Sequence, residues 1–326
     1  MSEFGIRRRQ HLIDQESYVN TLRHYQNEST LYDGYLQEPE VRPGDHAQFM
    51  ENRASDLWRT LQLKYTAGED PAELATLLGR VVEEYQKYVD KKNAADDTHY
   101  IPPFLMSQFA DVYVNYLHLV CTAILLHRED LIPIICGWND GTDFDRADAV
   151  LEELFKFYLP DRPELDEWYW DQPYRLLLSV LDEEDTGKRP KLMKKYLKKW
   201  YASFKGQAYF WGQHEQITSE FSPYVGYWAM CAAAFTYLYD IDDSTYREEF
   251  VYPKDLVDYA RSIPRQPVAS ESGETILRVL GGQTCPRDGN WFSPAKADSL
   301  KKFKAGDIMP SFDFSEYGTT IWQWAP

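Results

Sequence analysis

The sequence predicts an all-α protein, a two-lobed helical bundle with a small C-terminal appendage containing short strands. Three observations carry this. Apolar residues recur at three- and four-residue steps through most of the first 260 positions. Pro, Gly and Asp bound these periodic stretches, as helix starts and stops require. The last sixty residues instead break into Gly- and Pro-rich turns around short β-branched and aromatic runs. With 326 residues, 44% of them hydrophobic and 15% aromatic, the chain can bury a sizeable core and is not disordered.

The first helix is expected over 14–36, opened by Asp14 as a cap. A second over 45–65 places Phe49, Leu57, Leu61 and Leu63 mainly at helical steps. A third, 70–89, begins with Asp70 then Pro71, a cap followed by a first-turn proline. Its Leu74, Leu77, Leu78, Val81, Val82 and Tyr85 trace one face. The stretch 102–127 is the most apolar and reads as the most buried helix. Further helices are expected over 146–159, 172–181, 189–204, 222–239 and 253–260. A composition change near Gly137–Thr142 and a Pro/Ser-rich stretch after Ser262 divide the chain into 1–138, 139–262 and a linker with a small β-containing tail, 263–326.

The formal charge is −17, from 35 basic and 52 acidic residues. Phosphate neutralisation needs Lys and Arg, so neither nucleic acid nor an anionic membrane surface is an expected partner. A basic protein partner fits, because opposite fields accelerate encounter. No secretory signal is visible, and Leu117–Leu126 is too short to span a bilayer. Cys121, Cys136, Cys231 and Cys285 include no C-x-x-C pair, and three of them lie in apolar surroundings. That usage predicts reduced core thiols and a cytoplasmic location, without a disulfide frame or zinc site.

The stretch from Tyr239 to Ala260 is the best place to look for chemistry, since Asp240, Asp242 and Asp243 fall within four residues. A calcium loop would need a glycine at the sharp turn, and none follows. A metal-dependent helical enzyme of terpene-synthase type is the alternative reading. It lacks a second magnesium motif with Asn, Ser and Glu on a late helix. The simpler account is a capped turn: Asp240–Ser244 ends one helix and Pro253 opens the next, with the carboxylates as punctuation and surface instead of ligands. There is no G-x-S-x-G elbow or P-loop, and the adjacent His214 and Glu215 point apart. The expectation is a protein that is not an enzyme and uses neither metal nor cofactor.

Gly226, Tyr227 and Trp228, then Asp242 and Asp243, then Tyr252, Pro253, Asp255 and Leu256 form a pattern similar to the C-terminal domain of bacterial polymorphic-toxin immunity proteins, the type that protects against PoNe DNase toxins. Leu61–Leu78, with Tyr65-Thr66-Ala67-Gly68, resembles that family's N-terminal helix–turn–helix. Cys231 stands where the family commonly has an acidic residue. The resemblance implies a cytoplasmic immunity protein used in interbacterial competition, as in type VI secretion. It would bind a cognate toxin, a basic nuclease domain, and occlude its active site. The motif residues Gly226 to Asp255 are expected to be structural.

Candidate toxin contacts come from the residues themselves. Leu131–Pro190 holds fifteen Asp and Glu against six Lys and Arg, so 15 − 6 gives nine of the seventeen excess negative charges. Within it, "ELDEWYWDQPY" mixes acids with aromatic rings that would be exposed. The candidates are Asp161, Glu164, Asp166, Glu167, Trp168, Trp170 and Asp171, then Asp182, Glu183, Glu184 and Asp185. The lysine-rich helix over 189–204 is expected to offer the acidic segment a counter-charge.

Overall fold

The computed structural model describes residues 2–38, 43–95, 102–264, 278–293, 296, 299–312 and 320–325. The chain divides into two compact units, Met1–Pro264 and Arg265–Pro326. Most of the Pro/Ser-rich stretch read as a linker lies outside the described residues.

The first unit is helical. Its elements are α1 (Glu3–Arg7), α2 (Gln15–Leu36), α3 (Pro43–Thr66), α4 (Pro71–Ala95), α5 (Ala110–Leu125), α6 (Ile132–Gly137), α7 (Ala149–Phe155), α8 (Asp171–Leu181), α9 (Arg189–Ser203), α10 (Met230–Leu238) and α11 (Lys254–Ser262). The caps are those the residue types call for. Asp14 accepts the Ser17 N–H at 3.0 Å, Asp70 the Ala72 N–H at 2.8 Å, and Asp148 the Leu151 N–H at 3.0 Å. α3 and α4 form a hairpin across the short turn 67–70.

α5 and α10 are the centre. All nine residues of α10 are buried, and so are all but three of α5. Each fully buried Leu, Ile or Val there contributes about 1.5–3 kcal/mol of burial free energy. Cys121 of α5 and Cys231 of α10 face each other, Sγ to Sγ 3.6 Å apart, both as free thiols. Burial pushes the Cys121 thiol well above its ordinary value. Cys231 is therefore core packing, and the position where the family commonly has an acid is here closed to any partner.

Three helices are shorter than their apolar patterns suggest, for backbone reasons. The 102–127 pattern becomes helix only at Ala110, because Pro102 and Pro103 lead into a loop that ends at Phe109, although that loop buries Phe104 and Met106. The 222–239 pattern becomes helix only at Met230. Before it, Gly226 sits at φ +122° and the Ala229 N–H bonds to the Val251 carbonyl at 2.8 Å. The 146–159 pattern shrinks to α7 because Asp148 caps it from outside. α1 and α6 were not foreseen. The change near residue 138 falls inside this unit, where Trp138 donates to Gln86 and the buried Asn139 donates to Tyr116, each at 2.7 Å.

The second unit is a four-stranded antiparallel sheet of β1 (Arg278–Leu280), β2 (Gly289–Phe292), β3 (Lys301–Phe303) and β4 (Ile321–Ala325), in the order β1-β4-β2-β3. Val279 pairs with Trp322, and Trp291 with Trp324. Its own small core holds Val279, Cys285, Trp291, Phe303, Met309 and Trp322. The strands expected in the tail are thus present, with the closing aromatic run as a central strand.

Candidate partner-binding face

The motif residues lie mostly against one another. Trp228 donates its indole N–H to Thr66 at 2.9 Å, and Thr66 donates to the Val225 carbonyl at 2.6 Å. The turn after α3 and the Gly-Tyr-Trp segment are therefore in contact. Gln10, 1% exposed, accepts the Tyr227 N–H and donates to the Tyr227 and Phe250 carbonyls. Arg9 stacks on Tyr65 and bonds the Tyr65 and Glu69 carbonyls and the Asp255 carboxylate. Asp243 is buried, and its two oxygens accept from Arg247, Arg261 and Tyr252 at 2.9 to 3.1 Å. It is not the surface carboxylate the capped-turn reading supposed. Its lone pairs are occupied by two guanidiniums, which is not the setting of a metal ligand. Asp242 is exposed and caps the turn through Ser244. Among the described residues, no three His, Cys, Asp or Glu lie where they could hold a metal, and no helix is long and apolar enough to cross a membrane.

The acidic loop before α8 is anchored by its aromatic residues. The Glu167 carbonyl accepts the Ala149 N–H at 2.8 Å, and the Tyr169 N–H donates to Asp148 at 3.0 Å. Trp170 donates its indole N–H to the Met106 carbonyl at 2.8 Å, and Arg175 lies over Trp168 at 5.3 Å. Both tryptophans are half-buried against the core instead of standing free, Trp170 held by its indole bond and Trp168 covered by Arg175. The carboxylates face out. Asp161, Glu164, Asp166 and Glu167 are exposed, and among the described residues none of their carboxylates has a Lys or Arg nitrogen within 4.0 Å, although Arg146 donates to the Asp161 backbone carbonyl at 2.7 Å. Asp171 pairs with Arg175 at 2.5 Å. Part of the segment's charge is spent internally, since Arg162 grips the buried Glu152 with two hydrogen bonds.

Asp148 ties this loop to the core, accepting from Leu151, Tyr169 and the Tyr113 hydroxyl. Burial outweighs those bonds and raises its carboxyl to about 6. A raised carboxyl favours the fold below the unfolded value near 4, and that contribution is lost as pH rises through about 6. Asp148→Asn removes the titration. The variant-minus-parent unfolding free energy should therefore grow by up to roughly 3 kcal/mol between pH 4 and pH 7, measured by urea unfolding. A difference flat across that range would mean the carboxylate is ionised throughout.

Sequence reasoning missed the aromatic residues that are exposed. Tyr209 is 85% exposed and Phe109 50%. They and the acidic loop are tied to neighbouring positions at the start of α5. Asp111, in the first turn of α5, accepts the Tyr209 and Phe210 N–H groups at 2.8 and 3.2 Å, and the loop ending at Phe109 holds Trp170. No periodicity marks Tyr209, which lies in a loop of turns.

Asp182, Glu183, Glu184 and Asp185 lie at the other end of α8 from Asp171. Asp185 caps the turn at Gly187 and pairs with Lys188, so this group is partly neutralised. The lysines of α9 do not pair with the acidic segment as expected. Lys194 reaches Thr245 and Glu249, while Lys191, Lys195, Lys198 and Lys199 are exposed with no carboxylate within 4.0 Å among the described residues. α8 packs against α9, and Leu177 on α8 and Met193 and Tyr196 on α9 are fully buried.

The segment that carries this face, residues 146–256, matches the family model of PoNe immunity proteins (PoNi), C-terminal. The chain resembles the PoNe-type immunity proteins. The matched PoNi segment contains the acidic loop, the Tyr209 loop and the Gly-Tyr-Trp and Tyr-Pro-x-Asp-Leu motifs. Among solved structures, the crystal structure of protein PA2201 from Pseudomonas aeruginosa is similar, with a TM-score of 0.64 and 23% sequence identity, covering 78% of this chain and 91% of that one. That likeness is one of fold. No curated protein matches the chain.

Proposed function

We propose that the protein is an immunity protein that binds a cognate PoNe-type DNase toxin stoichiometrically and occludes its active site in the cytoplasm. The carrying observation is the run of unpaired, outward carboxylates at Asp161, Glu164, Asp166 and Glu167, inside the segment that matches the PoNi family. A nuclease cleft is built positive to hold phosphates, so a surface that presents carboxylates competes for it. Trp168 and Trp170 hold the loop in place, and Phe109 and Tyr209 supply apolar contact beside it. No chemistry is required of the inhibitor. The motif residues from Gly226 to Asp255 serve to join the N-terminal and C-terminal parts of the helical unit.

The test is co-expression with the product of the adjacent open reading frame. The expected result is rescue of growth and co-purification of a one-to-one complex that no longer cleaves DNA. A neighbouring product that is harmless alone, or a toxin that kills despite this protein, would defeat the proposal.

A further inference from the structure

A cavity of about 190 Å3 opens between α3, α5, α9 and the loops around 209–213 and 223–226. It has room for several waters, each taking about 30 Å3. Its most buried polar group is His118, 6% exposed. Among the described residues the His118 ring has no hydrogen-bond partner; it stacks near Trp200 at 6.2 Å and 20°. Burial alone pulls its imidazole down to about 3, so the ring is neutral and one nitrogen is a free acceptor. Asn115 accepts from the Trp58 indole at 3.1 Å, which fixes its orientation. At the mouth, Asp111 spends two of its roughly four acceptor sites on the Tyr209 and Phe210 N–H groups, leaving the others available. Trp200 and Phe210, both in the lining, stack on one another at 5.7 Å and 16°.

The geometry points to a socket for an arginine side chain of the toxin, gripped by the Asp111 carboxylate and the His118 imidazole beside the stacked Trp200 and Phe210 rings. This rests on the immunity reading and names one contact within it. A guanidinium is planar, has five donors and no acceptor, and stacks on aromatic faces. A lysine ammonium is a compact point charge with three donors and cannot span two separate acceptors in one plane. An anion would meet Asp111, and the arginine in the lining, Arg59, already acts on the Asp56 carboxylate. The socket adjoins Tyr209, so an inserted arginine would be ringed by an exposed aromatic residue and water would be excluded from it.

The experiment measures toxin affinity for the parent protein, for Asp111→Asn and for Gln213→Trp, which fills the cavity from a loop. Each variant should bind about 30- to 100-fold more weakly, as loss of a central anchor does. Arginine-to-alanine replacements across the toxin should then reveal one whose effect is not additive with Gln213→Trp, and its lysine replacement should lose binding as well. Gln213→Trp with parental affinity, or additive cycles for every toxin arginine, would overturn the socket and leave the immunity reading standing. If the parent does not bind the toxin, the immunity reading itself fails and the socket falls with it.

Discussion

Gly226→Ala is expected to destabilise the helical unit by about 3 kcal/mol or more, lowering its thermal midpoint by roughly 6–12 °C in scanning calorimetry. Two independent causes add. At φ +122° an L side chain is strained wherever it sits. An alanine Cβ would also lie 2.2 Å from the Thr66 hydroxyl and 2.3 Å from the Trp228 indole nitrogen. Those atoms cannot yield cheaply, because they form the Trp228–Thr66–Val225 chain of hydrogen bonds that joins the turn after α3 to the segment before α10. Relief would break a buried bond and unseat Trp228 from Tyr65, its edge-on neighbour at 4.9 Å. Gly34→Ala is the control. Gly34 lies in α2 with nothing within 4 Å of an added Cβ, so that change should be neutral or stabilise by up to about 1 kcal/mol. If Gly226→Ala unfolds with the parental midpoint, the junction is looser than its geometry implies.

The same junction shows which parts of the molecule sequence can and cannot reveal. Helix starts at Asp14 and Asp70 were readable because a cap is a local bond, made three residues away or fewer. The Thr66–Trp228 contact spans 162 positions, and the Gln10–Tyr227 contact 217. No local pattern encodes such a pairing. The lengths of α5 and α10 were overestimated for a related reason. Apolar periodicity reports burial, and Phe104, Met106 and Tyr224 are buried without being helical. At the candidate site, composition located the acidic loop but could not tell a carboxylate that faces out from one, such as Glu152, that is held by Arg162. It also assigned exposure to the wrong rings. Trp168 and Trp170 have backbone and cationic partners that draw them in, whereas Tyr209 is exposed although its own backbone is held by Asp111, a residue 98 positions earlier.

Binding kinetics should separate the two halves of the proposed face. Neutralising Asp161, Glu164, Asp166 and Glu167 together, to Asn or Gln, is expected to slow association with a basic toxin about 10- to 100-fold at low salt and to flatten its salt dependence. Dissociation should change little, because exposed charges in water interact weakly at contact and act mainly on encounter. Tyr209→Ala and Phe109→Ala should do the reverse. Each removes apolar contact from a ring already outside the core, so dissociation should quicken by about 30-fold, near 2 kcal/mol, with association almost unchanged. None of these changes should move the thermal midpoint of the free protein. Among the described residues the four carboxylates have no cationic partner to lose, and the bond that Tyr209 makes to Asp111 comes from its backbone, which alanine keeps. Stopped-flow association across a salt series reads both halves at once. A four-fold neutralised protein with parental association and parental salt slope would place the toxin on another surface, and the outward lysines of α9 would then be the next face to neutralise.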